Sequence, residues 1–179
     1  MSSLTVQNIQ GSASSGNTIS VASGHKISGA ASSILAPGMI VQTVQSSTTT
    51  YFNTTSSSFA NAFTATVTPT LATSKIMIIG SMCGIANNGG GANVEARLNR
   101  NLSGDTVVGK YNRICHINGG TFLALTHNFT EIDSPNTTST ITYEYQIRTQ
   151  NGTNSVRFCD YHTGAADSRS TLTFIEIAQ

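Results

Sequence analysis

A chain of 179 residues allows one ordinary domain plus an appendage, with enough length to bury a true core. Charged side chains make up only 9% of it and the net charge is +1. That excludes the clustered basic surface with which nucleic-acid binders displace counterions, and it excludes the high-charge signature of a disordered chain.

The first 36 residues are thin. Gly, Ala and Ser separate single aliphatics at Val6, Ile9, Ile19, Val21, Ile27 and Ile34. Short strands such as LTVQNI and NTISVA would each bury one or two side chains, too few for a strand to stand alone. Residues 1–36 therefore read as an extended docking or oligomerisation arm, ordered on a partner surface, with those six aliphatics as its assembly residues. A flexible Gly/Ser linker is the competing reading. Pro37-Gly38 is a turn pair and marks the start of a second region, 37–179.

From there the pattern has a period of two. MIVQTVQ (39–45) alternates, and a Ser/Thr stretch over 46–58 encloses Tyr51-Phe52 with a strand from near Thr49. FTATVTP (63–69) sets Phe63, Ala65 and Val67 against three threonines, whose β-branching suits the pleat. The near-continuous apolar run KIMIIGSMCGI (75–85) predicts a central strand covered on both faces. NVEARLN (93–99) puts Val94, Ala96 and Leu98 inward and Glu95 and Arg97 toward solvent. Thr106–Lys110 and Tyr111–Ile117 are two further candidates. TFLALTHNFTEI (121–132) follows, with Leu123, Leu125, His127 and Phe129 on one face. ITYEYQIRT (141–149) is the clearest strand, with Ile141, Tyr143, Tyr145 and Ile147 inward. Asn151-Gly152 predicts a hairpin to SVRFCDY (155–161), and TLTFIEIA (171–178) closes the chain. Helical periodicity is absent. About eight strands with frequent turns predict an all-β fold, a β-sandwich of jelly-roll type preceded by the arm, with a closed barrel as the other topology.

Chemical motifs are few. Gly104 to Lys110 matches the start of a phosphate-binding loop, but Tyr111 stands where the magnesium-binding hydroxyl belongs, and no helix follows. Cys83, Cys115 and Cys159 are odd in number and lack CxxC spacing, so they read as small buried hydrophobes. His25, His116, His127 and His162 form no ligand pair. Three copies of His25 on a trimer axis are the single metal arrangement the spacing allows. Glu131 with Asp133, and Asp160 with Asp167, are the carboxylates a glycoside-cleaving site would draw on, but the chain has no Trp to line a sugar cleft. No GxSxG elbow occurs. No catalytic residue, cofactor or metal site is expected, and the chain reads as a non-enzyme. Nothing approaches the ~20 apolar residues of a membrane helix, and no basic segment followed by an apolar run opens the chain.

Taken in order, TVQNIQ, NTISVASGHKI, GMIVQTVQ, TVTPTLATSKIMI, ITYEYQIRT and the terminal IEIA resemble virion structural proteins of tailed bacteriophages, most nearly the tail-fibre-like proteins of marine and cyanobacterial phages. The resemblance spans nearly the whole chain and carries no catalytic residues. It implies a protein made in the host cytoplasm and resident in the virion, often as a homotrimer, in contact with capsid, portal or tail proteins. The expected role is a fibre or appendage anchored by residues 1–36. Two other roles compete. One is a capsid decoration or cement protein. The other is a carbohydrate-binding module for a host surface glycan, using loops 86–93 and 160–170. Neither a nucleic acid nor a membrane is an expected partner.

Overall fold

A computed structural model describes residues 23–24, 35–88, 92–117, 123–150, 154–159 and 168–179. The chain divides into two units between Ile34 and Leu35. All six arm residues, Val6, Ile9, Ile19, Val21, Ile27 and Ile34, lie outside the described residues, so the fold presented is that of the second unit.

The described residues of this unit form ten strands: β1 (Ile40–Thr48), β2 (Phe52–Thr54), β3 (Ala60–Val67), β4 (Lys75–Asn88), β5 (Ala92–Asn101), β6 (Asp105–Ile117), β7 (Leu123–Asp133), β8 (Ile141–Thr149), β9 (Ser155–Phe158) and β10 (Ser170–Ile177). The described residues contain no helix. The chain enters β1 through a tight turn in which Met39 N–H donates to Ala36 C=O at 3.1 Å, with Pro37 and Gly38 at the corner. Gly38 has φ +86°, the positive value a type II turn demands at its third position.

All strand pairs are antiparallel. β1 and β2 follow one another along an outer row, pairing with β10 and β9 respectively. β10 and β9 in turn share one edge of the long β4, whose other edge holds β7. The first sheet is thus four rows: β1 with β2, β10 with β9, β4, β7. The second sheet runs β3, β8, β5, β6. Numbered along the chain, the rows stand 1-8-3-6 in one sheet and 2-7-4-5 in the other. Row 1 pairs 8, 2 pairs 7, 3 pairs 6 and 4 pairs 5, with alternate pairs in alternate sheets. This is a long antiparallel hairpin wrapped into a sandwich, which is a jelly roll.

The core lies between the sheets. Ile76, Ile78, Met82, Leu172 and Phe174 from the first sheet meet Val94, Leu98, Ile141, Tyr143, Tyr145 and Ile147 from the second, all fully buried. Tyr143 packs on Phe174 with ring centroids 5.2 Å apart, and Tyr145 on Phe129 at 5.8 Å. Each large side chain contributes about 1.5–3 kcal/mol by burial, so the second unit carries its own core.

Three sequence expectations are corrected. β8 and β9 are not a hairpin, because β8 pairs β3 and β5 while β9 pairs β2 and β4; Asn151-Gly152 itself lies outside the described residues. The two candidates between Thr106 and Ile117 are one strand, interrupted where Arg113 takes φ +54° and the pairing with β5 slips between Val94 and Ala96. The central strand is covered on one face only, since Lys75 and Ile79 are exposed and Met77 is half-buried.

Candidate functional site: the polar seam and the uncovered sheet face

Strand β7 closes the open side of the sandwich. Its alternation turns His127, Phe129, Glu131 and Asp133 toward the second sheet, and each finds a partner there. His127 Nδ1 lies 2.9 Å from the Tyr145 hydroxyl. Phe129 packs against Tyr111 and Tyr145. Tyr111 O–H donates to Glu131 at 2.9 Å. Arg100 reaches both oxygens of Asp133 at 2.7 and 2.8 Å, and Tyr143 O–H donates to the same carboxylate at 2.7 Å.

The electrostatics follow from this packing. Burial, then the hydrogen bond to Glu131 and its charge, hold the Tyr111 phenol protonated far above its ordinary range. Burial and Asp133 do the same for Tyr143, against a smaller opposing pull from Arg100. Burial pushes the His127 pKa down, so the ring is held neutral. Of the proposed carboxylate pairs, Glu131 and Asp133 do share a face, but both are engaged in joining the two sheets. Asp160 and Asp167 lie outside the described residues, as do His25, His162 and Tyr161. His116 points to the exposed face opposite the buried Cys115, as adjacent strand residues must. Burial raises the thiols of Cys115 and Cys159, in the latter against hydrogen bonding to Ser170. Those two cysteines pack as small core residues, and Cys83 is half-buried. Among the described residues no three His, Cys, Asp or Glu side chains converge as metal ligands. The Gly104–Lys110 motif lies in a turn and along β6.

The outer faces of the two sheets differ in chemistry. On the second sheet, Arg148 pairs with Glu95 at 2.6 Å. Gln146 accepts from Arg97 and donates to Asn61 and Glu144. Phe59 lies between the Arg97 and Arg148 guanidinium groups, 4.5 and 4.4 Å from its ring centre. Glu95 is thereby buried rather than solvated. On the first sheet the outer face carries an open aliphatic strip, with Ile40, Ile79 and Ile132 exposed and Met77, Ile175 and Ile177 half-buried, set among Thr43, Gln45, Thr130 and Thr173. An open groove of about 360 Å³ lies beyond it, lined by Cys83, Gly84, Leu125, Thr126 and Arg169 among others. The Cys83 thiol in it accepts from the Thr126 hydroxyl at 3.8 Å, and no general base is among its described lining residues.

Sequence reasoning missed Glu176. It is fully buried on the inward face of β10 and accepts from Thr70 N–H at 2.9 Å, Leu71 N–H at 2.8 Å, Ser74 O–H at 2.7 Å and Gln42 Nε2 at 2.6 Å. The signal was present: strict alternation through Leu172, Phe174 and Ala178 puts Glu176 among inward positions.

The row order defines an eight-row jelly roll, and the polar side chains along its seam join the two sheets. No family model matches the sequence, and no curated protein is a significant match. Solved structures with a similar course of strands include the infectious bursal disease virus VP2 subviral particle, with TM-score 0.47 and 13% identity over 87% of this chain and 42% of that one. T=1 particles derived from infectious bursal virus give 0.39 and 14% over 87% and 41%. The Gt strain of infectious bursal disease virus gives 0.37 and 13% over 87% and 43%. The present chain spans about two-fifths of the length of those chains.

Proposed function

We propose that this chain is a non-enzymatic structural component of a tailed-phage virion, a fibre or appendage protein. Its jelly roll projects from the particle, and residues 1–36 anchor it to sister chains, in a homotrimer, and to capsid, portal or tail proteins. The observation that carries the reading is the contrast between a sandwich with its own core and the exposed aliphatic strip on the outside of its first sheet. Ionisable groups along the seam hold the two sheets together, whereas Ile40, Ile79 and Ile132 on the outer face of the first sheet are exposed. Such surfaces mark assembly sites.

A capsid decoration role is the second reading, favoured by the same aliphatic strip, which a shell surface would cover as readily as a sister chain. The carbohydrate-binding reading gains less. Its loops fall largely outside the described residues, and among those described Tyr51 is the exposed aromatic residue, which gives one stacking surface where sugar sites use several.

Deleting residues 2–34 tests the anchoring role. The truncated protein is expected to fold, as judged by a cooperative melt and β-sheet circular dichroism, and to be lost from purified particles. Incorporation at the full-length level would overturn it.

A further inference from the structure

Across the first sheet, strand register sets Thr43, Ile175, Met77 and Ile132 side by side. The next outward row is Gln45, Thr173, Ile79 and Thr130. Ile132 is 61% exposed and Ile79 39%. Neither row carries a charged side chain, and Lys75 stands in the adjoining row beside Ile177, so these two rows suit an uncharged segment and offer no complement to an acidic or basic one. The strip continues at its corner through Ile40, Met39 and Leu35, which are 63%, 41% and 41% exposed, to the point where residues 1–34 join the domain.

We infer that this face is the receptor for residues 1–34 of a neighbouring copy. The inference rests on the anchoring role proposed above and names the surface the arm engages. The chemistry matches. Residues 1–34 carry Lys26 as their one charged side chain among Asp, Glu, Lys and Arg, and single aliphatics separated by Ser, Thr and Gly. Lone Ile and Val side chains on a small-residue background fit between lone Ile and Met side chains on a Thr background. The reach also matches. Thirty-four residues extend to roughly 110 Å, whereas an eight-residue strand is about 26 Å long, so the segment is long enough to leave its own domain and cross that of a neighbour.

The test uses full-length protein with the photo-cross-linker p-benzoylphenylalanine in place of Ile132, assembled from an equal mixture of light and ¹⁵N-labelled chains. After irradiation and trypsin digestion, adducts joining the peptide that contains position 132 to residues 1–26 should appear as mixed light–heavy pairs. Adducts confined to same-label pairs, adducts to the β-domain of another copy, or no adducts would overturn the inference. In parallel, Ile79→Lys combined with Ile132→Lys should weaken self-association at least tenfold by sedimentation while leaving the melt unchanged; unchanged association would also overturn it. If deletion of 2–34 abolishes incorporation but the cross-links fall elsewhere, the anchoring role survives and only the receptor face is wrong.

Discussion

Glu176 joins the end of β10 to the 70–74 turn. Burial alone would raise its pKa, yet the hydrogen bonds from Thr70, Ser74, Leu71 and Gln42 outweigh it and hold the carboxyl below its ordinary range. A depressed carboxyl stabilises the fold above the unfolded pKa of about 4.3 and loses that contribution as pH falls through the folded value. Glu176→Gln removes the charge from four hydrogen bonds, and hydrogen bonds to charged groups contribute about 1.5–3 kcal/mol. The variant should lose about that much in urea titration at pH 7, and less at pH 3. Gly80 is a second such position. A Cβ there would enter the ring of Phe129, its cross-strand partner. Gly80→Ala should cost about 1–3 kcal/mol by overpacking, and Phe129→Leu in the same chain should recover part of it. A double-mutant cycle with no coupling would show that the two residues do not share that space.

At the scale of elements, β7 is where polar chemistry closes the sandwich. Because burial keeps His127 neutral, the unfolded chain takes up its proton first, near pH 6.5. The His127 contribution is therefore present above that pH and lost as pH falls toward the lower folded value. His127→Gln should flatten the stability profile in this window, which thermal melts between pH 7.5 and 5 would detect. What the sequence revealed of the elements depended on regular alternation. Strand 141–149 was legible to the residue, since Ile141, Tyr143, Tyr145 and Ile147 mark one face without interruption. β6 was split in two because its irregularity at Arg113 breaks the alternation that periodicity reads. β4 looked covered on both faces because Met77 and Ile79 carry the hydrophobicity of a core strand while facing outward. The inward turn of Glu176 was legible from the same alternation and was overlooked because a carboxylate suggests solvent.

For the whole molecule, the sandwich class followed from strand number and turn spacing, but row order did not. Local turn chemistry at Asn151-Gly152 favours a hairpin, and the jelly-roll pairing of row 7 with row 2 and row 8 with row 1 overrides it through contacts far apart in sequence. The polar seam was equally hidden, since Arg100 and Asp133, or Tyr111 and Glu131, meet only once the sheets are stacked. The assembly reading rests on two features: the isolated aliphatics of residues 1–34 in the sequence and an exposed aliphatic strip of similar chemistry on the first sheet. The most direct test of that reading is copy number, measured by quantitative mass spectrometry of purified particles and scaled to the major capsid protein. A virion fibre or appendage predicts presence at a few tens of copies or fewer, and hundreds would transfer the role to shell decoration. Absence from the particle would contradict the account.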